Sequence, residues 1–201
     1  MFVLGVSGGI GSGKSTVSGI LEERGLRVLD ADKISHLVTE ADGIAMPEIE
    51  ELFGRRAVLP DGSMNRKYVS SVVFKDNKKL DLLSSVIHKY VFQYMDAEIE
   101  KETKNKTKCV VLDVPIPVKK FVEHCNQIWI VTCDEEVKLQ RIVNRGMDIE
   151  EARRRIAVQM TDDEYSELGD YVIDNSGSLE ELNEKVDNLI VKQLHERGIR
   201  I

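Results

Sequence analysis

The sequence predicts an α/β fold of three layers, a mainly parallel sheet between two layers of helices. Two observations predict it. Short apolar runs at Phe2–Ser7, 109–114 and 127–133 alternate with stretches of helical periodicity, the pattern of strands joined by crossover helices and buried on both faces. The first run also ends in glycines and passes directly into a helical stretch, Lys14–Glu23, giving a strand, a turn and a helix in succession.

In chain order, Val17, Ile20 and Leu21 give Lys14–Glu23 its apolar face, and Gly25 is placed to end it. A second strand is expected at 27–29, with Asp30, Ala31 and Asp32 at its carboxyl end. From Lys33 to Lys108 the texture becomes polar, charged and helical. Helices are expected there at 44–53, 66–74, 77–85 and 86–103, with a turn at Pro60-Asp61-Gly62-Ser63. This block reads as an insertion between strands. After the strands at 109–114 and 127–133 come helices at 134–145 and 148–160, the second strongly basic at Arg153, Arg154 and Arg155. A last strand, Tyr171–Asp174, precedes a capping box from Ser178 to Glu181. That box opens a final helix with an apolar face at Leu182, Val186, Leu189, Ile190 and Leu194.

With 201 residues the chain is long enough for one domain with a sizeable core and smaller insertions. Its net charge of −7 argues against a general nucleic-acid surface, while permitting a local cluster of donors around a small anion. Cys109, Cys125 and Cys133 form neither a CxxC pair nor a metal spacing, and read as buried thiols of a reducing compartment. His36, His88, His124 and His195 share no ligand spacing. No apolar run approaches the roughly 18 residues that span a membrane, and Met1 leads straight into a strand. A cytoplasmic protein is expected, a monomer or weak homo-oligomer with no membrane or nucleic-acid partner.

The segment from Gly8 to Ser15 fits the phosphate-loop pattern G-x-x-x-x-G-K-[ST] in full, between a strand and a helix as the mechanism requires. Gly9, Gly11 and Gly13 permit backbone angles that turn successive N–H groups, Ser12's among them, toward phosphate oxygens, and the helix start adds the positive end of its dipole. Lys14 can reach the β- and γ-phosphates, the Ser15 hydroxyl can ligate Mg²⁺, and Thr16 can meet the α-phosphate. ATP with Mg²⁺ is therefore expected here.

Phosphoryl transfer also needs an acceptor base, a metal-anchoring acid and cations over the migrating group. Asp30 and Asp32 follow the second strand, at the sheet edge where such folds bind ligands. An extended backbone points both the same way, whereas a helix starting there turns them apart, and Asp30 can equally cap that helix. Asp32 can take a hydroxyl proton or help to hold Mg²⁺. Asp113 closes an apolar run and reads either as a strand-end acid supporting Mg²⁺ or as a residue of a turn. Arg141, Arg145, Arg153, Arg154 and Arg155 crowd two adjacent helices, and arginine forks suit a phosphoryl group. Glu150 to Arg154 and Glu151 to Arg155 are i,i+4 pairs, so part of this run is a solvated helix face.

On these residues the chain resembles the dephospho-coenzyme A kinase family over nearly its full length. Gly5 to Val17 is close to that family's opening, and Leu29-Asp30-Ala31-Asp32 matches its I-D-A-D segment. Phe53-Gly54, Asp61-Gly62 with Arg66, and Val73-Phe74 follow in the family's order. So do Gln140, Arg141 and Arg145, then Arg155-Ile156 and Gln159, and finally Val172-Ile173-Asp174-Asn175-Ser176-Gly177. The departures are His88-Lys89 for the family's H-P, Pro115 to Lys119 for its P-L-L-x-E, Ala41-Asp42-Gly43 for its P-G, and a missing lysine and alanine around Glu164 to Gly169.

The resemblance implies a P-loop kinase fold, with a nucleotide-binding core at 1–32, 108–140 and 166–201. It implies a helical acceptor-binding insertion at 33–107 and a short helical lid at 141–165. It implies transfer of the ATP γ-phosphoryl to the ribose 3′-hydroxyl of dephospho-CoA. By the match Asp32 is the base, acting with Lys14 and Arg141, while Arg145 and Asn175 join the loop around ATP. Asp32, Arg66, His88 and Arg155 are the candidates for the acceptor, and Ser15 with Asp32 for Mg²⁺. Two other readings stay open. One is a kinase of this fold acting on another nucleoside or small alcohol, suggested by Pro115 to Lys119. The other is a nucleotide-binding module without turnover, for which a base and two arginines have less use.

Overall fold

The computed structural model describes residues 1–200. The chain opens with strand β1 (Phe2–Ser7), helix α1 (Lys14–Glu23) and strand β2 (Arg27–Asp30). Helices α2 (Ala31–Leu37), α3 (Met46–Phe53), α4 (Arg66–Val73) and α5 (Asn77–Lys104) follow without a strand among them. Then come β3 (Cys109–Asp113), α6 (Lys119–His124), β4 (Gln127–Thr132), α7 (Glu135–Asn144), α8 (Ile149–Ala157) and α9 (Asp162–Ser166). Strand β5 (Tyr171–Asp174) and helix α10 (Leu179–Leu189) close the fold, α10 running on into a π-helical turn at Ile190–Leu194 and a 3₁₀ turn at His195–Arg197.

The five strands form one sheet in the order β2-β3-β1-β4-β5, and every neighbouring pair is parallel. Parallel neighbours cannot be joined by hairpins, so the alternating helices are the crossovers that this sheet demands. Cys109 to Asp113 is buried throughout, as a strand covered on both faces must be, whereas at the edge strand β5 only Ile173 is buried. Leu4, Val6, Val111, Trp129, Val131 and Ile173 from the sheet pack with Val17, Ile20 and Leu21 of α1 and Leu182 and Val186 of α10. Trp129 Nε1 donates to Gln127 Oε1 at 3.0 Å, and Gln127 Nε2 donates to Gln193 Oε1 at 3.1 Å, so the buried glutamine is satisfied. Parallel register brings the strand ends Ser7, Asp30, Asp113, Thr132 and Asp174 to one edge of the sheet.

Two compact units divide the chain: Met1–Asp30 with everything from Thr103 onward, and Ala31–Glu102. In the second unit the buried residues are mostly apolar, including Ile34, Val38, Ile49, Val69, Val73, Val86, Phe92 and Met95. The Pro60 to Ser63 turn is built around Asp61, whose carboxylate accepts the Ser63 N–H at 2.9 Å, with Leu59 N–H donating to Ser63 O at 2.8 Å. The two helices expected at 77–85 and 86–103 are one helix, α5. Ser84-Ser85 resembles a break, but serine in a helix interior costs only a few tenths of a kcal/mol. Leu83 before that point and Val86, Phe92 and Met95 after it keep one continuous buried side. Two helices had no expectation. Helix α6 begins at the lysines Lys119 and Lys120 and is anchored by fully buried Phe121, and five-residue α9 is too short to show a period.

Candidate active site

At the carboxyl edge of β1 the chain leaves the sheet as the loop Gly8 to Gly13, and α1 begins at Lys14. Gly11 and Gly13 hold φ of 77° and 89°, a left-handed backbone that favours glycine. The loop closes on itself through Ser12 N–H to Gly9 O at 3.2 Å, and the Gly13 carbonyl takes the first helical bonds from Thr16 and Val17. Lys14, half-buried, is ion-paired with Asp113, whose side chain is 2% exposed at the end of β3. Asp113 is in register with Val6 on one side and Asp30 on the other, so it is a strand residue and not part of a turn. Ser15 and Thr16 are exposed on the first turn of α1. Ser12 Oγ is buried with no hydrogen-bond partner among the described residues.

The loop is gripped from behind by residues far along the chain. Asn175, buried just beyond β5, donates through Nδ2 to Ser12 O at 2.7 Å, and its own N–H donates to Thr132 O at 2.8 Å. Arg141 of α7 donates to Asn175 O at 3.0 Å and to Ser12 O at 3.4 Å. Gly13 is glycine for this reason too, since a Cβ there would overlap the Asn175 amide. Gly11 meets α7 directly: a Cβ would lie 3.0 Å from Lys138 O. Cys133 Sγ donates to Gly11 O at 3.6 Å, and burial raises its thiol pKa while nearby Arg141 and Lys138 pull it back.

Beside this grip lies a cavity of about 440 Å³, lined by Gly13, Thr16, Arg141, Arg145 and Asn175 together with Leu179 and Leu182. Five residues expected around ATP are thus brought together there, with two apolar side chains that suit a flat ring. Arg155 is elsewhere, exposed on α8, where its Nε donates to Glu151 at 3.0 Å. Arg154 also pairs with Glu151, at 3.0 Å. Asp32, Arg66 and His88 belong to the second unit. Asp32 is exposed in the first turn of α2. Because α2 starts at Ala31, Asp30 ends a strand while Asp32 starts a helix, and the extended pairing of the two carboxylates does not form. Arg66 donates to Thr39 Oγ1 at 2.7 Å, and His88 is exposed on α5.

A family model for dephospho-CoA kinase matches residues 2–181. The chain belongs to the dephospho-CoA kinase family. Among relatives bearing that name, one from Shouchella clausii is 35% identical over 195 residues, covering 96% of this chain and 99% of its own. Another, from Carboxydothermus hydrogenoformans, is 35% identical over 192 residues, covering 94% and 93%. The fold is shared with the Thermus thermophilus protein TT1252, at TM-score 0.77 and 28% identity over 96% of this chain and 97% of that one. It is shared also with dephospho-CoA kinase from Campylobacter jejuni, at TM-score 0.72 and 20% identity over 98% of each chain. Membership makes the chain a kinase.

Proposed function

We infer that the chain transfers the γ-phosphoryl group of ATP to the ribose 3′-hydroxyl of dephospho-CoA, giving CoA and ADP. The observation that carries this is a complete phosphate cradle in a chain whose family match runs from residue 2 to residue 181. Loop amides and the α1 dipole receive the β-phosphate, and orphaned Ser12 Oγ fits a site that expects an oxyanion. Lys14 offers its ammonium to the terminal phosphates while Asp113 holds it in place. Arg141 spends two N–H groups on main-chain carbonyls, and the rest of its guanidinium lines the ATP cavity. Arg145, Thr16 and Asn175 complete that wall.

Among the described residues no group of three or more His, Cys, Asp or Glu side chains could hold a metal ion. A nucleotide-borne Mg²⁺ fits this chain, since Mg²⁺ takes one or two protein oxygens and fills its shell with phosphates and water. Ser15 Oγ and the Asp113 carboxylate would be the oxygens that hold it. When bound, Mg²⁺ draws charge from the β- and γ-phosphates. Asp32 is left for the acceptor, taking the proton of the attacking hydroxyl. Arg66 and His88, also in the second unit, are further candidates for that acceptor.

ADP release measured with dephospho-CoA, adenosine and other nucleosides tests the reading. Turnover is expected with dephospho-CoA alone. Faster turnover of a plain nucleoside, or none with any acceptor, would remove the CoA precursor from the assignment.

A further inference from the structure

One contact to the phosphate loop comes from a residue that has no place in the mechanism above. Gln159, two residues beyond α8, accepts the Ile10 N–H on its side-chain oxygen at 2.7 Å, across 149 positions of sequence. The acceptor must be oxygen, because the main-chain partner can only donate. Within the loop, the Gly9 carbonyl takes the Ser12 N–H, which turns the Ile10 N–H outward. A partly buried amide left there without a partner would favour other loop conformations.

Gly9 gives a second, independent sign of the same contact. Its φ is not in the left-handed region, yet a Cβ there would lie 3.2 Å from Gln159 Oε1 and 3.5 Å from the Tyr165 ring. The lack of a side chain at Gly9 therefore serves close approach of the 159–165 segment. That segment is itself fixed at three points. Lys138, 9% exposed on α7, is ion-paired with Asp162. Buried Tyr165 donates its hydroxyl proton to Pro115 O at 3.1 Å. Thr161 and Glu164 close a capping box around α9. Gln159 thus projects from a braced segment onto the loop, and does not dangle from a mobile one.

We propose that Gln159 is a positioning residue for ATP. Its side-chain oxygen holds the Ile10 amide and so fixes the loop conformation that presents the neighbouring N–H groups to phosphate. This rests on the kinase reading for its kinetic consequence, but the contact itself is measurable without turnover. Gln159→Leu removes the acceptor at similar volume, and Gln159→Glu keeps an oxygen in place.

Hydrogen exchange of the Ile10 amide, read by NMR in the ligand-free protein, is the first measurement. It should accelerate at least about tenfold in Gln159→Leu and stay near the wild-type rate in Gln159→Glu. In steady-state kinetics Gln159→Leu should raise KM for ATP about tenfold while KM for dephospho-CoA stays within about twofold. Ile10 exchange unchanged in the leucine variant would overturn the proposal, whatever the kinetics. So would accelerated exchange with an unaltered KM for ATP. Should the leucine variant fail to fold, Gln159→Asn takes its place, its shorter reach losing the same bond with the same expectations.

Discussion

The most consequential side chain outside the loop's own sequence is Asp113. A carboxylate that is 2% exposed would be strongly destabilising unpaired, and Lys14 supplies the pairing. The lysine needs the acid as much, because the acid aims its ammonium from the first turn of α1 toward the strand end. The assignments of Asp113 to the metal side and Asp32 to the base are separable by experiment. Asp32→Asn keeps the shape but cannot take a proton, so kcat should fall about 10²- to 10⁴-fold with KM for ATP little changed. A collapse of ATP affinity and an altered Mg²⁺ dependence in that variant would instead make Asp32 a metal anchor and refute its role as the base. Asp32 gave a sequence signal as part of Leu29-Asp30-Ala31-Asp32, whereas Asp113 stayed ambiguous. A single acid after an apolar run looks the same whether it is buried in the last ladder position or exposed in a turn.

At the scale of elements, the sheet seals its thiols. Cys109 opens β3 at 3% exposure, and Cys125 sits so close to β1 that a Cβ on Gly5 would come within 2.7 Å of its sulfur. Burial pushes both thiols up to about 12 from an ordinary 9.0. Ellman's reagent at pH 8 should leave both unlabelled in the folded protein and label them after denaturation. The same shift has a sign for stability. The folded pKa lies above the unfolded one, so the thiols do not oppose folding below pH 9, and stability falls as pH rises from 9 toward 12 because only the unfolded chain releases these protons. Denaturant titrations at pH 8 and pH 10 should show this loss, and Cys109→Val should remove about 1 kcal/mol of it. An equal loss in wild type and variant would show that other groups account for it. Helix ends behaved differently from thiols in the sequence. The Ser178 to Glu181 capping box was readable because its two side chains are three residues apart, and the structure closes both of its bonds. Helix α5 runs unbroken through Ser84-Ser85, because a continuous buried face overrides the local break that two serines offer.

For the molecule as a whole, the parallel sheet collects the ends of all five strands at one edge, and the Gly8 to Gly13 loop leaves the sheet from that edge. In the reading proposed above, the acceptor is bound by the helices of the second unit. Dephospho-CoA should therefore slow amide exchange within Ala31–Glu102, while ATP alone should slow it at residues 8–16 and 141–159. Dephospho-CoA protection confined to residues 8–16 would take the acceptor away from the second unit.

The strand-helix alternation, the break in it after Asp32 and the complete loop from Gly8 to Ser15 are all legible in the chain of residues alone. Each of these is written in neighbouring residues, and local periodicity or a contiguous motif is enough to reveal it. How the loop is held is set by the folded arrangement. Asn175 and Arg141 reach Ser12 O across 163 and 129 positions, Gln159 reaches Ile10 across 149, and Asp113 reaches Lys14 across 99. No spacing rule predicts such pairs, because the crossovers of a parallel sheet set them by bringing distant strand and helix ends to one edge.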